Sequence, residues 1–67
     1  MSAQRIGRVL KRLREAKGFS QAVLAKKSGV AQGYISQMEA GEKTNPGIET
    51  LKKIAKALSV PVTALLE

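Results

Sequence analysis

Apolar side chains recur along the chain at three- and four-residue intervals, the spacing of helical faces, and they do so in five stretches. In the first, roughly Gln4 to Lys17, Ile6, Val9, Leu10 and Leu13 fall on one arc, with Arg5, Arg8, Lys11 and Arg12 opposite or beside it. Gly18 ends that stretch and Phe19 turns in. A second helix is predicted from Ser20 to Ser28, its first turn capped by the Ser20 hydroxyl. There Val23, Leu24 and Lys27 share one helical repeat, and Ala25 is small enough for another helix to cross closely above it. Gly29 follows the last turn, where a chain leaving a helix adopts the left-handed conformation that glycine tolerates. Val30 can plug the corner. The third helix, about Gln32 to Ala40, sets Ile35 and Met38 on one face and turns Gln32, Gly33, Ser36 and Gln37 elsewhere. A loop from Gly41 to Gly47 breaks the periodicity with Lys43, Thr44, Asn45 and Pro46. The fourth helix, Ile48 to Leu58, points Leu51, Ile54, Ala55 and Leu58 inward. Ser59, Val60 and Pro61 stop it and open a short last helix, proline being favoured at a first helical position. Val62, Leu65 and Leu66 make that last helix apolar. The fold class is all-α, a single domain over residues 1–67 without repeats or linkers.

At 67 residues the chain buries only about 60% of the surface its unfolded form exposes, so its core has to be compact. It contains no cysteine and no histidine, which excludes a disulfide framework and the usual zinc or copper clusters, so packing alone holds it together. No cofactor is implied. The N-terminal MSAQR does not look like a signal peptide, and no apolar run approaches the length of a membrane span, so a soluble cytoplasmic protein is expected. Twelve Lys and Arg against five acidic residues give +7, a charge that attracts polyanions. Charge alone does not separate a nucleic-acid partner from a merely solvated basic surface. The outer face of the third helix narrows the choice, because it is polar yet uncharged and suits hydrogen bonding to base edges. On the first helix, Arg8 and Arg12 are like charges one turn apart, and solvated repulsion is the favoured reading there over direct DNA contact.

The pairs Ser20-Gln21, Leu24-Ala25 and Gly29-Val30, the run Tyr34-Ile35-Ser36-Gln37, and Glu39 together resemble the helix-turn-helix of the XRE-type, phage-repressor-like DNA-binding domains. The likeness extends to Asn45-Pro46, Glu49-Thr50-Leu51 and the run Ile54 to Leu58, nearly the whole chain. It implies a compact five-helix, lambda-repressor-like domain, with the motif at about 20–40 and the recognition helix at about 32–40. The implied function is sequence-specific binding of double-stranded DNA as a transcriptional regulator, a repressor on a palindromic operator.

In that reading the recognition helix enters the major groove, about 12 Å wide, while the preceding helix rests its N-terminus on the phosphate backbone. Gln32 and Gln37 can each donate and accept, as adenine recognition requires. Ser36 discriminates less. Gly33 replaces the larger polar residue usual in the family, and is read either as allowing close approach to DNA or as a tolerated substitution. Gln21, in family terms, donates to a phosphate or braces Gln32. Tyr34 either reaches a phosphate through its hydroxyl or lies half-buried beside the core. Lys43, Thr44 and Asn45 could clamp the backbone, although Glu42 would repel it. Ala31 lacks the side-chain cap common at its place, and Val23 replaces a frequent glutamate. The resemblance also pairs Arg14 with Glu39 in a structural ion pair.

One copy reads only a few base pairs, so a homodimer is expected, its recognition helices about 34 Å apart, one DNA turn. The last helix supplies the candidate interface through Val62, Leu65 and Leu66, one or two of which remain after the core is covered. No catalytic residues are expected, because the five glutamates form no credible pair and the serines lack a base. No small-molecule effector is evident. The rival is a protein-binding adaptor or antitoxin that uses the apolar C-terminal helix. A single-stranded nucleic-acid binder would need stacking aromatics, and the chain has only Phe19 and Tyr34.

Overall fold

The computed structural model describes the backbone of residues 3–42 and 46–66, and the side chains within them from Arg5 onward. Five helices follow in chain order, α1 (Ala3–Ala16), α2 (Gln21–Ser28), α3 (Gln32–Glu39), α4 (Ile48–Ala57) and α5 (Thr63–Leu66), with no strand among the described residues. α1 packs on α3 and α5, α2 on α3 and α4, and α4 on α5. Ile6, Val9, Leu10, Leu24, Ile35, Met38, Leu51, Ile54, Ala55, Leu58 and Leu65 form one buried cluster drawn from all five helices and the end of α4. Each large member contributes about 1.5–3 kcal/mol by leaving water, which is why short helices that would fray alone are stable together.

At Gly7 the backbone of α1 comes directly against the last turn of α3. A Cβ on Gly7 would collide with the carbonyl oxygen of Met38 and lie 3.2 Å from the Glu39 Cα, so only glycine lets the two backbones meet there.

Helix ends explain the compact turn between α2 and α3. The Ser20 hydroxyl accepts from the Val23 N–H at 3.0 Å and starts α2. Gly29 ends it at φ +75°, donating to the Ala25 carbonyl at 2.9 Å. The Ser28 hydroxyl then accepts from the Val30 N–H at 3.2 Å, and Val30 packs against the core. Three residues therefore suffice to redirect the chain. α3 ends in a Schellman motif in which Gly41 donates to Met38 and Glu42 donates to Gln37, at 3.1 and 2.9 Å. At the end of α4 the same motif uses Ser59, at φ +58°.

Two expectations need correction. Pro61 does not occupy the first turn of the last helix, which begins at Thr63; its carbonyl accepts from the Ala64 N–H at 2.9 Å, so it precedes that turn. Leu65 is wholly buried in the core and has no surface to offer a partner, while Val62 and Leu66 are half-buried beside it. A four-residue helix turns only one face inward, and the core claims Leu65. Among the described residues no helix is long and apolar enough to cross a membrane.

Candidate nucleic-acid interface

Ile35 and Met38 anchor α3 in the core, and the residues between them face out. Gln32, Gly33, Ser36 and Gln37 are all exposed, an uncharged polar arc on a helix about 12 Å long. Nothing lies within 4 Å of where a Gly33 side chain would project. Tyr34 flanks this arc half-buried, packed against the core. The Ala31 cap position is extended but makes no side-chain bond to the helix.

A polar cluster beneath the arc fixes where α3 sits. Arg14 Nε donates to Glu39 Oε2 at 2.6 Å and Nη2 donates to Oε1 at 2.9 Å, a bidentate pair. Its remaining Nη1 donates to the Phe19 carbonyl at 2.7 Å. The side chains of Arg14 and Glu39 are only 10% and 4% exposed, so the charges compensate each other out of water. Burial pushes the Glu39 carboxyl up, but hydrogen bonds from Arg14 and Gln21, with the charges of Arg14 and Lys11, outweigh it and hold the carboxyl below its ordinary value. The bond to Glu39 raises the Arg14 guanidinium correspondingly. Gln21 Nε2 donates to Glu39 Oε1 at 3.1 Å, so its amide braces the end of α3 and not Gln32. The cluster ties the end of α1, the start of α2 and the end of α3 together. Sequence reasoning missed the Gln21 bond and the Gly7 crossing. A glycine inside an apolar helical stretch was the available signal for the second.

Around this face the surface is basic. Arg8, Lys11 and Arg12 stand exposed on α1, and Arg8 borders a hollow of about 250 Å³ with Glu39, Ala40 and Gly41. On the α2–α4 flank, Lys27, Lys53 and Lys56 line a shallow groove of about 530 Å³ with Ser28 and Ala57. The Lys27 ammonium also stands 5.2 Å from the centre of the Phe19 ring. Lys43, Thr44 and Asn45 lie outside the described residues. Among the described residues no group of His, Cys, Asp and Glu is placed to hold a metal.

This geometry is shared with known proteins. The Helix-turn-helix family model matches residues 10–65. The transcriptional regulator SinR of Bacillus subtilis is 44% identical over 62 residues, which are 92% of this chain and 56% of that protein. The regulator SlrR of the same organism is 42% identical, again over 92% of this chain but 41% of its own length. The chain thus spans about half the length of these curated relatives. A crystal structure of SinR in complex with DNA superposes with a TM-score of 0.90 at 44% identity, covering 92% of this chain and 98% of that one. The restriction-modification controller protein C.AhdI of Aeromonas hydrophila gives a TM-score of 0.90 at 35% identity, covering 94% of each chain.

Proposed function

The chain belongs to the helix-turn-helix family, and on that footing we propose that it is a sequence-specific regulator of transcription that binds double-stranded DNA, repressing from a palindromic operator as a homodimer. One observation carries the reading: the uncharged arc of Gln32, Gly33, Ser36 and Gln37 protrudes from a helix that buries Ile35 and Met38 and is tethered at its end through Glu39. An α-helix with side chains is about 10–12 Å across, which a major groove about 12 Å wide admits. That a superposable SinR structure was solved in complex with DNA supports DNA as the partner.

Gln32 and Gln37 read base edges, with Ser36 a weaker reader, and Gly33 lets the backbone come close. Gln21 at the start of α2 and Tyr34 meet phosphates, joined by Lys43, Thr44 and Asn45. Val62, just before the last helix, and Leu66 within it, both half-buried, are offered to a second copy.

Selection of bound fragments from random duplex DNA tests the reading. A shared sequence is expected, and Gln37→Ala should cost about 1–3 kcal/mol on it and relax base choice at one position. Lys43→Ala should weaken all sequences alike. Failure to retain any duplex at low salt would overturn the proposal.

A further inference from the structure

We infer that Arg8 and Lys11 of α1 form a second contact surface for the DNA backbone, receiving phosphates beside the C-terminal end of α3. The inference rests on the DNA-binding reading above. Its starting point is Gly7, whose missing side chain sets α1 directly on the last turn of α3. Arg8 is the next residue, exposed, and borders the hollow that Glu39, Ala40 and Gly41 form where α3 stops. Lys11 lies four residues beyond Gly7, on the helical face that Gly7 sets against Met38 and Glu39, and is also exposed. The sequence alone favoured solvated repulsion along this helix; the crossing at Gly7 changes the balance by fixing which neighbour the basic residues stand beside.

Among the described residues neither cation is in an ion pair. The carboxylate that borders the hollow with Arg8, Glu39, is already held by both donors of the Arg14 fork and by Gln21. Arg8 and Lys11 are moreover like charges at a spacing of three, which an anion between them would relieve. Phosphates line both rims of the groove into which α3 fits, so groups flanking an end of that helix meet a rim. A guanidinium fork suits a phosphate, which it can engage with two parallel hydrogen bonds. Lys53 serves as the contrast: it is equally exposed, but it sits on α4, which packs on α2 and α5, and lines the groove on that flank.

The test measures affinity for the selected duplex and for a scrambled one between 50 and 200 mM salt, a range over which backbone contacts dominate the change. Arg8→Ala and Lys11→Ala should each lower the slope of log affinity against log salt by about 1 and weaken both duplexes by the same factor. Lys53→Ala, which removes the same charge, should leave the slope unchanged. An unaltered slope in either α1 variant, or an equal change in Lys53→Ala, overturns the inference while leaving the DNA-binding reading intact. A wild-type protein that binds neither duplex overturns both.

Discussion

Glu39 is where the chain concentrates its polar energetics, accepting from both Arg14 and Gln21 in a site nearly closed to water. Because its carboxyl is held below the ordinary value in the folded state, the stability it contributes is complete above the unfolded value near 4.3 and is lost as pH falls through the folded one. Acid titration of unfolding should therefore show a loss below about pH 4 that is shallower in Glu39→Gln. At neutral pH, Glu39→Ala strands Arg14 and should cost about 3 kcal/mol, a fall on the order of 10–20 °C in the thermal midpoint. Gly7→Ala should cost at least about 2 kcal/mol in chemical denaturation, since the added methyl meets backbone and not a side chain that can swing aside. Arg14 and Glu39 were legible as partners through the family likeness. The Gln21 bond was not, because an amide at a helix start has several acceptors within reach and only the crossing of α2 and α3 selects one.

The order and spans of α1 to α4 could be read within one residue at each end from apolar spacing, since each helix buries one face and the caps at Ser20, Gly18 and Gly29 announce themselves. The last helix was harder, because four residues give no periodicity and Pro61 serves as well before a first turn as inside it. The Gly7 approach was invisible for another reason: its partner lies 31 residues further along, where no local pattern reaches. Two helices carry correctable weaknesses. Gly33→Ala fills open space on α3 and should raise stability by up to about 1 kcal/mol. Ser59→Gly relieves a left-handed residue that has a Cβ and should gain about 0.5–1 kcal/mol. Thermal melts check both, and Gly33→Ala tested on DNA also decides its role: a more stable protein with weaker binding means the backbone comes close at that point.

As a whole the molecule measures 25 × 23 × 21 Å, shorter in every direction than the roughly 34 Å of one DNA turn. A single copy therefore covers only part of a turn, and two copies related by a two-fold axis can stand side by side on one face of the duplex. Sedimentation on a duplex carrying both half-sites should show two copies bound, with Leu66→Ser reducing the second step; one copy at saturation would remove the dimer from the proposal. The all-α class was plain from apolar periodicity and the basic charge from composition, whereas a second copy would leave its trace only in surface that the first cannot cover. The exposed arc of α3 bears on this larger scale too. Its four residues touch solvent while other positions anchor the helix, so under the proposed function the text to be read is written separately from the frame that holds the page. Exchanging those letters should redirect the molecule to a new address without disturbing its architecture.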